Sequence, residues 1–332
     1  MSNCNIRVEL DREDRVYRVG DHVKCLVHVD VDQAVSCDGL LARVSWYTHG
    51  RGNGDSGGNR EHILFKGEWQ AGSHVYPCEF DLDSGPLSYH GHNINIDWQV
   101  EARADIPWAI DPKDSAEFIL ERGQDCPQLY AEKVQLDRNT LSNMKSFWLF
   151  LTIPLIFSGV GAYKVASNWR INDIFDMLFW IALVAVVLTV SFFVVRNSLA
   201  QRKLGKVTVS VDPKALNPGE LTEVSVSFSP RVMIALNGIM AQLVAKEVAI
   251  SGSGTNRKTH THTFHREEFP LIGKIRLEQG RQARYQTKVM VPKNAHHTFI
   301  ADDNRIQWQV ELTIDVDDWP DWRSSHPLLV KI

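Results

Sequence analysis

Residues 6–32 alternate in polarity. Val23, Cys25, Val27, Val29 and Val31 fall on one side, and Lys24, His28, Asp30 and Asp32 on the other. A period of two predicts a half-buried strand. Similar segments recur at 39–47, 63–69, 74–82, 93–105 and 116–120. After a break they resume at 206–211, 221–228, 239–250, 260–265, 273–278, 282–291, 305–315 and 328–332. Short strands separated by turn signals predict antiparallel sandwiches, and no long helical period appears in either half. Residues 49–60 contain Gly50, Gly52, Gly54, Gly57 and Gly58, and 251–256 are also small and polar. Both read as flexible hairpin tips.

The break holds two apolar runs. Phe147 to Tyr163 is 17 residues without a charge, and Met177 to Val195 is 19. A helix spanning a bilayer core of about 30 Å needs about 17–25 such residues, so the pattern predicts a two-helix transmembrane hairpin over 146–197. The other reading is a pair of helices buried in a large soluble core. Arg138, Lys145, Arg196, Arg202, Lys203 and Lys206 flank the hairpin, against Lys164 and Arg170 in its loop. Positive residues stay cytoplasmic, which predicts a multi-pass membrane protein with both termini and both globular domains in the cytosol. The expected organisation is a β-sandwich at 1–122, a polar connector at 123–145, the hairpin, and a second β-sandwich at 204–332. No signal-peptide pattern is visible in the first ten residues, so the first apolar helix is expected to direct insertion.

The two β-rich halves repeat each other. Ile96-Asp97-Trp98-Gln99-Val100-Glu101 matches Ile306-Gln307-Trp308-Gln309-Val310-Glu311 at five of six positions. Gly20 and Gly39 align with Gly219 and Gly238 at one constant offset, and Gly72 pairs with Gly280 before matching strands. Agreement along the whole order predicts two copies of one sandwich, with Trp98 and Trp308 as equivalent core residues.

Charge and cysteines narrow the class. Residues 1–122 hold 12 Lys/Arg and 21 Asp/Glu, a net of −9. An acidic first half argues against nucleic acid, which needs phosphate-neutralising cations. Cys4, Cys25, Cys37, Cys78 and Cys126 are odd in number and form no CxxC pair. That predicts reduced thiols and no disulfide scaffold, with Cys25 as a core residue on its alternating strand.

Four stretches carry a resemblance to a family. They are Tyr17-Arg18-Val19-Gly20-Asp21-His22-Val23, Ala71-Gly72-Ser73-His74-Val75-Tyr76-Pro77-Cys78-Glu79-Phe80, Gly85-Pro86-Leu87-Ser88-Tyr89-His90-Gly91, and Ile96 to Ala104 running into Ile106-Pro107-Trp108. In this order they resemble the arrestin N-terminal domain, and the two halves together resemble the arrestin tandem of β-sandwiches. The match covers most of 6–120 and rests mainly on the internal repeat over 206–332. The resemblance implies a mainly β protein that works by binding another protein. It departs from the family in its hairpin, where arrestins have a short hinge, and it carries no PPxY sequence. Its acidic first half also lacks the cationic character that binding of phosphorylated receptors implies.

The candidate chemistry is sparse. His260, His262 and His265 form a His-x-His-x-x-His run, in which two imidazoles on one strand face would approach a shared metal. The competing reading is a solvated edge strand. Asp315, Asp317, Asp318 and Asp321 crowd one loop, and Asp302-Asp303-Asn304 another, as calcium sites and turns both do. Trp108, Trp319 and Trp322 lie in equivalent loops. No nucleophile elbow, P-loop or Gly-x-Gly-x-x-Gly is present. The expected function is a non-enzymatic binding or scaffold protein without cofactor, engaging a protein partner in trafficking, sensing or assembly. The candidate contact residues are Arg51, Asp55, Arg60, Trp108, Trp319 and Trp322. The alternatives are a metal-dependent enzyme or metal-binding protein centred on the three histidines, and a structural subunit of a larger membrane complex.

Overall fold

The computed structural model describes residues 4–82, 85–107, 110–123, Ala182, Ala185 and 199–332. The chain is mainly β. The first half comprises β1 (Cys4–Leu10), β2 (Val16–Arg18), β3 (His22–Val31), β4 (Val35–Gly50), β5 (Ser56–Trp69), β6 (Gly72–Asp81), β7 (Tyr89–His90), β8 (Ile94–Asp105) and β9 (Lys113–Glu121). They form a three-stranded sheet, β1-β3-β6, and a larger sheet, β2-β9-β8-β4-β5, with β7 beside β8.

The second half comprises β10 (Thr208–Asp212), β11 (Ala215–Leu216), β12 (Leu221–Phe228), β13 (Ile234–Ser251), β14 (Lys258–Ile272), β15 (Ile275–Leu277), β16 (Ala283–Met290), β17 (Phe299–Ile300), β18 (Asn304–Val316) and β19 (Trp322–Val330). Their sheets are β10-β12-β16 and β11-β19-β18-β13-β14, with β15 against β13 and β17 against β18. Apart from β15, each strand has a counterpart in the same place of the first half. Even the parallel pairs recur, β2 with β9 and β11 with β19. The tandem of β-sandwiches expected from the repeat is therefore present.

Register shows how literal the repeat is. Trp98 lies opposite Trp46 and Ile96 opposite Thr48; Trp308 lies opposite Ala245 and Ile306 opposite Glu247. Trp98 and Trp308 are both buried at 2% exposure. Each indole N–H donates to a backbone carbonyl at 2.8 Å, Trp98 to Pro86 and Trp308 to His296. The alternation of β3 is realised as drawn: Val23, Cys25, Val27, Val29 and Val31 all enter the first core. Each such side chain contributes about 1.5–3 kcal/mol by leaving water. Gly20 and Gly219 both adopt positive φ, 98° and 88°, at the matching turn, which L side chains resist.

Two expectations are corrected. Among the described residues no helix is long and apolar enough to cross a membrane, so the expectation of a two-helix transmembrane hairpin over 146–197, and of the multi-pass placement with cytoplasmic domains built on it, is not borne out there. Both runs lie outside the described residues except Ala182 and Ala185, which are helical. The connector at 124–145 also lies outside them. Beside that region, residues 199–204 are helical and turn Ala200 and Leu204 into the second core, toward protein. Gly205, at φ 76°, ends this turn with its N–H on the Gln201 carbonyl at 2.9 Å.

The second correction concerns the cysteines. Cys25 and Cys78 form a disulfide, with Cα atoms 5.2 Å apart. They lie directly opposite each other on β3 and β6. Pairing of strands distant in sequence created a cross-link that spacing alone does not announce. Cys4 and Cys37 are free and buried. Burial first, and then the neighbouring Cys37, push the Cys4 thiol up to about 11.

Candidate functional site

The site grows from the two long hairpins. The β4–β5 tip and the β13–β14 tip lie at one end of their sandwiches, and there the two halves meet. The contact has an apolar centre of Tyr89, Ile94, Ile96, Ala249, Phe299 and Ile306. Trp46 packs edge-on against Phe299, with ring centroids 5.4 Å apart. Tyr89 and Phe299 hold equivalent places in the repeat, as do Ile96 and Ile306, so the seam has an approximate twofold character.

Around that centre lie buried polar groups. Glu247, on the inward face of β13, is 1% exposed. Its Oε1 accepts from the Tyr89 hydroxyl at 2.5 Å and the His92 amide at 3.0 Å, and its Oε2 from the Asn93 amide at 2.6 Å. The turn between β7 and β8 thus closes around a carboxylate of the other sandwich. Gly91 leaves no room for a Cβ there, because the Glu247 carboxylate and the Tyr89 ring occupy that space. Burial first, and then the bond to Glu247, push the Tyr89 phenol well above its ordinary range.

The reciprocal contact uses Asn304, also buried at 1% exposure. Its amide nitrogen donates to Thr48 Oγ1 at 3.0 Å, the Asn53 carbonyl at 2.6 Å and Asp55 Oδ2 at 2.8 Å. Asn53 donates from its backbone to the Ile250 carbonyl at 2.8 Å and from its side chain to Asp303 at 2.8 Å. The Gly252 amide donates back to Asn53 Oδ1 at 3.1 Å. Such a network satisfies each buried donor, and a dry surrounding strengthens each bond.

These contacts place the residues expected from the sequence. Asp55 is bound inside the seam. The Arg51 amide donates to the Asn93 carbonyl at 2.9 Å, and Arg60 donates to the Asp81 carbonyl. The tip at 49–60 docks on the second sandwich through Asn53 and Asp55, while Arg51 and Arg60 bind within the first. Trp319 donates to the Leu199 carbonyl at 3.0 Å, and Lys203 sits 4.1 Å above its ring. Trp322 belongs to the second core. Trp108 lies outside the described residues.

The three histidines go separate ways. His260 lies 3.2 Å from the Ser251 hydroxyl. The His262 ring packs on His92 of the first sandwich, centroids 4.4 Å apart. His265 lies beside Trp308, centroids 5.5 Å apart. A bulge in the pairing between Ala245 and Lys246 sets His265 opposite Ala245, on the face that His262 and His260 share opposite Glu247 and Ala249, yet each ring keeps its own neighbour. Among the described residues no group of three or more His, Cys, Asp or Glu is placed to hold a metal ion. The aspartates have structural partners: Asp303 binds Arg257 at 3.0 Å, Asp315 accepts from Asn237 at 3.0 Å, and Asp321 binds Arg323 at 3.1 Å.

Sequence reasoning did not single out Glu247 or Thr48, and it named Asn304 only within the acidic loop Asp302-Asp303-Asn304. One signal for Glu247 was available. It interrupts the apolar face Leu243, Ala245, Ala249 of an alternating strand, where a charge needs a partner.

A second feature is open. The outer face of the larger second sheet is hollowed into a cavity of about 870 Å³, lined by β13, β14, β18 and β19. Arg266, Glu311, Asp315, Arg323 and Ser325 supply its polar groups. Glu311 binds Lys246 at 2.7 Å and accepts from Gln309 at 2.6 Å. Burial pushes its carboxyl up, but the bonds from Lys246 and Gln309 reverse that, leaving it below its ordinary value.

No family model matches the chain, and no curated protein matches it in sequence. Among solved structures it is similar to the sporulation control protein Spo0M from Bacillus subtilis. The TM-score is 0.31 and the identity 16%, covering 38% of this chain and 49% of that one. The chain thus spans about half the length of that protein. A likeness at that score carries no functional argument.

Proposed function

We propose that this chain is a protein-binding scaffold of the arrestin-like kind, with its two sandwiches held as one platform by the seam. The observation that carries this reading is the division of labour between tips and sheet faces. The Gly-rich tip at 49–60 is used internally, through Asn53 and Asp55, and so is not offered to a partner. The hollow outer face of the second large sheet is open and carries both signs of charge. Polar side chains of mixed sign on a rigid sheet suit a protein segment that is itself mixed in charge. The arrestin resemblance of the sequence points the same way. The order of motifs supports the scaffold, and the site must supply the specificity.

The test is site-specific. A photo-crosslinking residue at Ser325 should capture a defined partner from native extracts, identified by mass spectrometry. The double change Arg266→Glu and Arg323→Glu should remove that crosslink and leave the fold intact. The same crosslink at the same yield in the double variant would place recognition elsewhere.

A further inference from the structure

His297 lies just before β17 and is 1% exposed. Its Nε2 faces the backbone N–H of Leu87 at 3.3 Å, across the boundary between the sandwiches. An amide N–H only donates, so Nε2 must offer its lone pair, and the ring is neutral with its proton on Nδ1. A second proton would set an N–H against an N–H and remove the contact.

The surroundings do not help His297 to carry charge. The groups that act on it electrostatically are His296 and Arg122, both able to be cationic. Arg122, from the first sandwich, donates to the Lys331 carbonyl of the second at 3.1 Å. The Glu247 carboxylate acts on His296 and is already bound by Tyr89, His92 and Asn93. Arg18 and Glu121 pair with each other at 3.9 Å. Arg18, Ser88, Arg122 and His296 line a crevice of about 510 Å³ that brings water to this edge of the seam. The His92 and His262 rings, one from each sandwich, also meet at this boundary, tilted and with centroids 4.4 Å apart.

We propose that the seam is an acid-released latch, closed only while His297 is neutral, so that acidification separates the two sandwiches before either unfolds. Burial first, then His296 and Arg122, push His297 from its ordinary 6.5 down to about 3 in the closed state. His296 is lowered too, by burial and Arg122 against the opposing pull of Glu247. A histidine that regains its ordinary value on opening binds a proton only in the open state between those limits. The closed form is therefore fully favoured above pH 6.5 and loses ground as pH falls. Each unit below 6.5 raises the open-to-closed ratio about tenfold for His297, down to about pH 3.

Hydrogen–deuterium exchange of the full chain at pH 7.5 and 5.5, corrected for the intrinsic rate, reads this directly. Peptides covering 85–93 and 244–252 report the seam; those covering 23–31 and 224–228 report the two cores. Seam protection is expected to fall about tenfold, or more if His296 also contributes, while core protection holds. His297→Gln keeps an acceptor for Leu87 and cannot take the proton, so its seam protection should stay flat across the same range. Should that variant misfold, His297→Asn serves the same purpose, and the wild-type comparison stands by itself. Constant seam protection in the wild type, joint loss of seam and cores, or an equal fall in the folded variant would each overturn the latch.

Discussion

Thr48 and Glu247 hold the same position in the two repeats, opposite Ile96 and Ile306, and each receives the turn of the other sandwich. Glu247 takes the turn before β8 through three donors, and Thr48 takes the Asn304 side chain at the start of β18. The two contacts differ in strength. A buried carboxylate with charge-assisted bonds is worth roughly twice a neutral hydroxyl contact.

Glu247→Ala should therefore be costly. It leaves the Tyr89 hydroxyl and two amides without their acceptor, at about 1–3 kcal/mol for each buried donor. We expect a loss of about 3 kcal/mol or more in chemical denaturation. Thr48→Val should cost less, about 1–3 kcal/mol, because only the Asp55 amide loses its acceptor while Asn304 keeps the Asn53 carbonyl and Asp55. Equal, small effects in both variants would mean that the seam adds little to stability.

Trp98→Ala and Trp308→Ala each delete a buried indole and its bond to a backbone carbonyl. Each should cost about 3–5 kcal/mol. Limited proteolysis should show loss of protection in the sandwich that carries the change. Unaltered cleavage in either variant would contradict two equivalent cores.

Replacing Gly50–Gly58 by a two-residue turn removes contacts to Asp303, Asn304, Ile250 and Gly252, and changing Asn53 and Asp55 together to alanine removes the side-chain contacts to Asp303, Asn304 and Gly252. The sequence suggests a tip dispensable for folding and important for a partner. The structure leads to a different outcome: exchange protection should drop across 244–252 and 301–306 in the isolated protein. Unchanged protection there would restore the tip as a free recognition loop.

Thiol labelling of unfolded, unreduced protein should modify Cys4, Cys37 and Cys126 and leave Cys25 and Cys78 untouched. Cys78→Ser should lower stability by about 2–4 kcal/mol under oxidising conditions. Labelling of all five cysteines would rule the cross-link out.

Much of the fold was legible because one face of each strand is buried. The run from Val23 to Val31 fixes its own orientation, and the Trp-Gln-Val-Glu repeat aligns two sandwiches residue by residue. The seam was not legible for a physical reason. Asn53 and Asp55 have the composition of any turn, and only tertiary pairing shows that they dock. His262 faces His92 because a whole second domain brings it there. The His-x-His-x-x-His run comes onto one face only through the bulge between Ala245 and Lys246, and there its rings are spread along the strand on separate neighbours. The cross-strand pairing of Cys25 with Cys78 was hidden in the same way, since it depends on which strands become neighbours.

The near-twofold seam is the contact that two separate copies of one sandwich would make as a homodimer. Fused in a single chain, its halves meet at a local concentration set by the connection, so individual contacts can be modest and the pair still close. Fusion also lifts the rule that both sides be identical. A true dimer with glutamate at this position would bury two carboxylates around one axis. Here the duplicated chain keeps one, Glu247, and places Thr48 at the other, so a contact of dimeric design has acquired a distinct acidic side and a distinct neutral side.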